Sequence, residues 1–174
     1  FFFTLFTAKA IAVDYYWTAT DDGSVKNWSH SQNWSNASGN SISGYPDGTN
    51  DNAIFQDAAA DVLVDVYARI GKLTTKNNFT GTINVNGNIL NPTKGLGHAR
   101  GTILIHENSD FRIHGAAAYL YNGATITSQG DNSNFKVQHN LIFYSGSVIN
   151  APGPNSQFMV RGGFRNEGGT FNHN

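Results

Sequence analysis

The chain has 174 residues, which is enough for one domain with a hydrophobic core. Only 13% of the residues are charged, about half of the roughly 25% usual in soluble domains. The net charge is −1 and the basic residues are scattered, so no nucleic-acid-binding surface is predicted. The absence of cysteine excludes disulfides, thiolate zinc sites and cysteine nucleophiles.

Residues 1–12 are typical of the end of a secretory signal peptide. FFFTLFT (1–7) is apolar, and AKAIA (8–12) has small residues in the A-x-A spacing of a cleavage site. The run is too short to cross a bilayer as a helix, so no membrane span is predicted. The alternative is a buried first strand, because FFFTLF also fits a strand pattern. We interpret residues 1–12 as a signal-peptide remnant and predict a secreted, cell-surface protein.

All three tryptophans lie in residues 13–60, which we interpret as an N-terminal cap or leader region. Exposed aromatic rings stack on sugars, so the aromatic residues here are candidates for glycan binding. The candidates are Tyr15, Trp17, Trp28, Trp34 and Tyr45. The alternative, which we favour, is that these rings close the hydrophobic end of the repeats that follow.

The segment PDGTNDN (46–52) brings acidic and amide oxygens close together. Asp47, Asn50 and Asp51 are therefore candidate calcium ligands. The segment lacks the carboxylate spacing and the terminal Glu of an EF-hand, and an ordinary turn is the favoured alternative. No other cofactor is predicted.

A repeat governs the second half of the chain. The phrase NSDFRI (108–113) returns as NSNFKV (132–137) and NSQFMV (155–160), and successive copies begin at Gly101, Gly123, Gly146 and Gly168. Such units, with short alternating strands between Gly, Asn, Ser and Pro turns, bury a core only when stacked. We predict an all-β fold over 61–174, a single-stranded parallel β-helix (β-solenoid), right-handed and truncated at its C-terminus. The glycine spacing predicts about 22 residues per coil.

Stacking places equivalent residues of successive coils over one another. We expect a core ladder, an asparagine ladder at a bend, and a row of apolar residues three positions after each glycine. These sets are Phe111, Phe135 and Phe158; Asn108, Asn132 and Asn155; and Leu104, Ile126, Ile149 and Phe171. A fourth set, Arg112, Lys136 and Met159, is expected to face solvent.

The repeats do not align the residues that a polysaccharide-cleaving enzyme needs. Such enzymes need two or more carboxylates, or calcium-binding carboxylates with a basic residue, on neighbouring coils. Asp110 instead aligns with Asn134 and Gln157. The histidines of the repeats are also out of register, and no catalytic residue is predicted.

Residues 15–90 contain a pattern of the form W…NW-x-x-x-x-NW…P…D-x-A-x-F, followed by V-x-V…G-x-L. The matching residues are Trp17, Asn27, Trp28, Asn33, Trp34, Pro46, Asp51, Ala53, Phe55, Val62, Val64, Gly71 and Leu73. This pattern resembles that of secreted bacterial surface proteins and phage tail-associated proteins, in which it leads into a right-handed parallel β-helix. The resemblance implies that fold and a surface location, while function carries over only loosely.

Three hypotheses of function follow. The first is a non-enzymatic secreted scaffold, adhesin or matrix component that binds polysaccharide or cell-surface glycan. The second is a fragment of a polysaccharide-degrading enzyme or phage depolymerase, and the third is a fibre subunit that associates end to end. The low charge and the unaligned carboxylates favour the first.

Overall fold

A computed structural model describes residues 12–57 and 60–173. The predicted signal-peptide remnant lies outside the described residues except for Ala12. A 3-10 turn, η1 (Ser31–Asn33), is the only helix in these ranges. The strands are β1 (Val13–Trp17), β2 (Lys26–Asn27), β3 (Trp34–Ser35), β4 (Asp51–Phe55), β5 (Val62–Val64), β6 (Ala68–Ile70), β7 (Leu73–Thr75), β8 (Thr82–Val85), β9 (Ile89–Pro92), β10 (Leu96–His98), β11 (Gly101–Ile105), β12 (Asp110–Ile113), β13 (Ala118–Leu120), β14 (Ala124–Ser128), β15 (Asn134–Val137), β16 (Leu141–Tyr144), β17 (Val148–Asn150), β18 (Phe158–Val160), β19 (Phe164–Glu167) and β20 (Thr170–Asn172).

The strands form three sheets that wind around one core. Sheet A has the order β3-β1-β4-β7-β10-β13-β16-β19, sheet B the order β2-β5-β8-β11-β14-β17-β20, and sheet C the order β6-β9-β12-β15-β18. Except where β3 pairs antiparallel with β1, neighbouring strands are parallel and one coil apart. The prediction of a parallel β-solenoid is confirmed.

Coil length varies along the solenoid. The step along the chain from Ala53 to its partner Leu73 is shorter than the step from Phe111 to its partner Phe135. The coil length predicted from the glycine spacing lies between these two steps. The early coils are shorter because their turns contain fewer residues, while the strands remain three to five residues long.

The predicted core ladder is confirmed. Phe111, Phe135 and Phe158 pair in register, and the rings of Phe111 and Phe135 stack with centroids 5.5 Å apart and planes 9° apart. Phe111 and Phe135 are fully buried. Each ring thus covers the apolar surface that the next coil would otherwise expose to water.

The glycine alignment is wrong by one residue in the first copy. Gly101 pairs with Ala124 instead of Gly123, so Ile103 stacks on Ile126. Leu104, which the glycine spacing placed in one row with Ile126, therefore pairs with Thr127 on the outer side of sheet B. The core row is Ile83, Ile103, Ile126, Ile149 and Phe171.

The predicted boundary at residue 60 lies inside the solenoid. Although β1 and β4 belong to the segment predicted as a cap, they pair in parallel within sheet A, and β2 pairs with β5 in sheet B. The segment DNAIF in β4 alternates like the later strands, with Ala53 and Phe55 buried. The core therefore extends into 13–60, to Trp17 at the end of β1.

An aromatic cluster closes this end of the core. Trp17, Trp28 and Trp34 are at most 2% exposed and all contact Phe55, with ring centroids 5.6 to 6.0 Å apart. The Trp28 indole N–H donates to the Pro46 carbonyl (3.0 Å), and that of Trp34 donates to the Trp28 carbonyl (2.8 Å). These bonds satisfy two of the polar atoms that burial of the indoles takes out of water.

The asparagine ladder occupies a bend with unusual backbone geometry. Asn108, Asn132 and Asn155 have φ angles of 56°, 55° and 60°, the left-handed region, which asparagine tolerates better than most residues. Asn132 Nδ2 donates to Asn108 Oδ1 (3.2 Å), as predicted, whereas Asn155 Nδ2 donates to Asp131 Oδ2 (3.3 Å). The third rung differs because Asp131 offers a charged acceptor.

Replacement of Asn132 should separate backbone strain from hydrogen bonding. Asn132→Ala forces a Cβ-bearing residue without a local hydrogen bond into the left-handed region, and we expect it to lower the free energy of unfolding by about 1–2 kcal/mol. Asn132→Gly also lacks the side chain but adopts this backbone freely, so its loss should be smaller. Urea unfolding of both variants measures the difference. If both variants lost the same free energy of unfolding, the hydrogen bond from Asn132 to Asn108, rather than the left-handed backbone, would account for the loss of stability.

Candidate functional site

The tryptophans predicted as a sugar platform have no exposed ring face. Trp17, Trp28 and Trp34 lie within the aromatic cluster. Tyr15 is half-buried with its ring edge against Trp34 (centroids 6.3 Å apart), and Tyr45 is half-buried against the same core. Stacking on sugars requires a free face, so glycan binding by the tryptophans would require the cluster to open.

The candidate calcium residues are used within the protein. Asp51 Oδ2 accepts hydrogen bonds from the amides of Gly48 (2.9 Å) and Asp47 (3.4 Å), as in an ordinary turn. Asn50 Oδ1 accepts from the Lys94 ammonium (2.8 Å). Within 12–57 and 60–173, no three His, Asp or Glu side chains converge as a metal site.

The outer face of sheet A carries a row of exposed tyrosines. Tyr119 on β13, Tyr121 just after it and Tyr144 on β16 are 36%, 44% and 36% exposed. The rings of Tyr121 and Tyr144 stack with centroids 5.3 Å apart and planes 7° apart, and Tyr119 lies 6.4 Å from Tyr121. Partial burial and then its two tyrosine neighbours raise the pKa of Tyr121, so the phenol is neutral at physiological pH. We call these three residues the tyrosine row.

On the outer face of sheet A, the coil that contains β10 presents only small residues, and this leaves a trough beside the tyrosine row. Gly97 and Ala99 form its floor, Tyr121 lines one wall, and Lys72 and Lys76 line the other, enclosing about 280 Å³. A Cβ on Gly97 would meet only the Lys72 Cε, at 3.8 Å. The trough therefore results from the side-chain sizes of a single coil.

The two trough lysines differ from the basic residues of sheet C. Within the described ranges, neither Lys72 nor Lys76 forms an ion pair. Arg112 and Lys136 both bond to Asp110, the latter at 3.2 Å. Burial acts to raise the pKa of Asp110, but the hydrogen bonds from these two cations outweigh it and lower the pKa. The row of sheet C predicted to face solvent is thus partly neutralised, whereas the trough retains its positive charge.

A larger cleft of about 510 Å³ opens near the N-terminal end of sheet A, lined by residues of β1 and by Gln56 and Asp57. Two acids line it. Asp21 accepts from the Gly23 amide (3.0 Å), and Asp57 accepts from Asn78 Nδ2 (3.1 Å). Each carboxylate is thus already bonded within the fold, in the manner of a structural turn residue.

A buried histidine supports the floor of the trough from inside. His98 follows Gly97 on β10 and is fully buried. Its Nδ1 lies 2.8 Å from Thr75 Oγ1 and its Nε2 lies 3.1 Å from the Thr125 carbonyl. Because a carbonyl only accepts, Nε2 carries a proton, and the lowered pKa of His98 leaves Nδ1 unprotonated at neutral pH. Burial lowers the pKa of His98 to about 4, against partial compensation from bonds to the Thr125 and Gly101 backbone.

Sequence reasoning missed the tyrosine row and the trough. The exposure of Tyr119 follows from the alternation AYL, in which Ala118 and Leu120 face inward. Tyr121 and Tyr144, which lie one coil apart, could have been found as an outward pair once the coil length was known. Prediction of the trough would have required knowing that Gly97 on β10 and Ala99 after it face outward, between the coil with Lys72 and Lys76 and the coil with Tyr121.

Comparison of the chain with protein-family models, with curated proteins and with solved structures finds no match. Within the described residues, no helix has the length and apolar character needed to span a bilayer.

Proposed function

We propose that the protein is a non-enzymatic β-solenoid scaffold of the cell surface or extracellular matrix, and that it binds polysaccharide through the tyrosine row. The stacked, exposed rings of Tyr121 and Tyr144 on a rigid parallel sheet carry this proposal. Tyrosine combines an apolar face, on which a sugar ring stacks, with a hydroxyl that bonds to sugar hydroxyls. Tyr144 lies on β16, and Tyr121 directly follows β13 with its amide bonded to the His98 carbonyl (2.9 Å), so the backbone of both residues is held before binding.

The secreted or surface location rests on the signal-like residues 1–12 and the resemblance to surface β-helix proteins. A low content of charged residues, 13%, with polar turns suits a rod displayed outside the cell. The proposed role is that of an adhesin or matrix component that holds a glycan without altering it.

The enzyme hypothesis requires a different kind of site, one with paired carboxylates. Glycoside hydrolysis requires an acid with a raised pKa and a second carboxylate beside it. Asp21 and Asp57 share the larger cleft, which is the feature that keeps this alternative testable. Release of new reducing ends is the measurement that separates a binder from an enzyme.

Tyr121→Ala should weaken polysaccharide binding at least about fivefold, because it removes about 1 kcal/mol or more of stacking. The assay incubates the full chain with dextran, xylan and polygalacturonate, and scores co-sedimentation and reducing ends in the same tubes. Tyr67→Ala is the matched control, since Tyr67 is 55% exposed but precedes β6 of sheet C.

Three results would count against the proposal. If none of the polymers bound, the polysaccharide-binding role would be lost. If Tyr67→Ala weakened binding as much as Tyr121→Ala, the tyrosine row would not be the site. If reducing ends appeared with the wild-type chain, the non-enzymatic role would give way to the depolymerase hypothesis.

A further inference from the structure

We propose that the trough is the specificity-determining part of the glycan site, and that it selects an anionic polysaccharide, one bearing carboxylate or sulfate groups. This inference rests on the proposed function and deepens it. The juxtaposition that carries it is an aromatic wall, Tyr121, facing two cationic residues, Lys72 and Lys76, across a floor of Gly97 and Ala99.

The walls and the floor lie along three consecutive strands of sheet A, because Lys72 and Lys76 flank β7, Gly97 lies on β10 and Tyr121 follows β13. Gly97 pairs with Thr74 on one side and with Tyr119 on the other, so β10 lies between the lysine coil and the tyrosine coil. Parallel pairing continues past the strand ends, because the Ala99 amide donates to the Thr75 carbonyl (3.2 Å) and the Tyr121 amide donates to the His98 carbonyl (2.9 Å). Two strand spacings of about 4.8 Å separate the walls by roughly 10 Å, room for one sugar chain.

One face of Tyr121 is available to that chain. Tyr144, on the coil beyond, stacks against the side of Tyr121 away from the trough. On the near side the equivalent residue is Ala99, whose methyl group leaves the ring uncovered. A sugar ring in the trough therefore stacks on Tyr121, while substituents on its opposite edge reach the lysines.

The local charge makes the site selective. Within the described ranges no ion pair engages either lysine, and Lys72 and Lys76 are both exposed. Asp14 and Glu167, on the outer face of this sheet, belong to β1 and β19, each two strands from the nearest wall. Asp57, two residues after the end of β4 on the coil next to the lysines, bonds to Asn78. An anionic substituent in the trough thus meets two cations that no carboxylate neutralises in the described part of the chain.

Polymers matched in backbone and differing in charge test the inference. The full chain is titrated with polygalacturonate and its fully methyl-esterified form, and with dextran sulfate and dextran. We expect the anionic member of at least one pair to bind at least about tenfold more tightly, with a gap that narrows as salt is added. The two pairs distinguish carboxylate from sulfate recognition.

Three variants locate the charge and the trough. The double variant Lys72→Gln/Lys76→Gln should lose about tenfold in affinity for the preferred anionic polymer and little for its neutral partner. Arg69→Gln/Arg161→Gln removes the same charge from exposed positions of sheet C and its following turn, and should change affinity less than about twofold.

Gly97→Val fills the trough without changing charge. It should abolish binding of both forms while circular dichroism and the urea midpoint stay unchanged, since strands favour valine.

Several results would overturn the inference. If the charged and neutral polymers bound with equal affinity, and Tyr121→Ala weakened the binding of both, the proposed function would stand but the anionic specificity would not. Equal losses in the two double variants would mean that binding follows net charge alone. Tighter binding of a thymidine oligonucleotide than of every polysaccharide would assign the trough to nucleic acid. Unchanged binding by a folded Gly97→Val variant would place the site elsewhere.

Discussion

Trp28→Ala is expected to lower the free energy of unfolding by about 3–5 kcal/mol, the range for removal of a large buried aromatic side chain. Trp28 is fully buried, its ring lies 4.9 Å from that of Trp34 and 6.0 Å from that of Phe55, and its N–H bonds to the Pro46 carbonyl. The variant leaves both a cavity and an unpaired carbonyl. Such a loss is a large fraction of the roughly 5–15 kcal/mol that stabilises a typical domain.

The same experiment separates the two interpretations of the aromatic residues. Urea unfolding and polysaccharide binding are measured on Trp28→Ala and on Tyr121→Ala. We expect Trp28→Ala to lose stability but still to bind polysaccharide in the absence of urea. We expect Tyr121→Ala to lose polysaccharide binding and to keep its urea midpoint. A stable Trp28→Ala protein that no longer binds would instead support the original platform of tryptophans.

Acidification should destabilise the protein through His98. Its pKa is about 4 in the folded chain, against an ordinary value of 6.5. Above pH 6.5 the imidazole is neutral in both states and contributes no pH dependence. As pH falls from 6.5 toward 4, the unfolded chain binds a proton that the folded chain does not, so stability falls by about 1.4 kcal/mol per pH unit and by about 3 kcal/mol in all.

Urea midpoints measured between pH 7 and 4.5 test this expectation. His98→Gln should be less stable than wild type at pH 7, because the Thr75 and Thr125 partners fit the imidazole, but its stability should depend much less on pH. His139→Gln removes an exposed histidine one turn from sheet C and should keep the wild-type slope. If His98→Gln kept that slope as well, another group would be responsible for the acid sensitivity.

The repeat allowed the fold to be predicted because stacked coils impose the same requirement on every copy. Phe111, Phe135 and Phe158 occupy equivalent positions, so one phrase repeated three times revealed both the strand and its inward face. The asparagines were predictable for a similar reason, as they recur where the chain must turn. Glycines were a poorer guide to register, because Gly101 is the first residue of β11 whereas Gly123 precedes β14.

The candidate site could not be predicted in the same way, because exposure depends on which coil lies next. Tryptophan is a frequent sugar-stacking residue, yet Trp17 and Trp34 face each other across β1 and β3 and are buried there. Tyr121 borders the trough because its neighbour on the preceding coil is Ala99. His98 lies inside because it is in register with the buried Thr75 on the preceding coil, which a single strand pattern does not reveal.

Each coil contacts mainly the coil before and the coil after it, and this has a consequence for how such a rod changes length. In sheet B, Ile83, Ile103 and Ile126 stand in one row on β8, β11 and β14. Deletion of one coil between β8 and β14 would bring Ile83 opposite Ile126 and leave every side chain on its own face. The rod would shorten by about 4.8 Å with its cross-section unchanged. Whole-coil duplication or loss can therefore adjust the reach of this molecule without a redesign of its core.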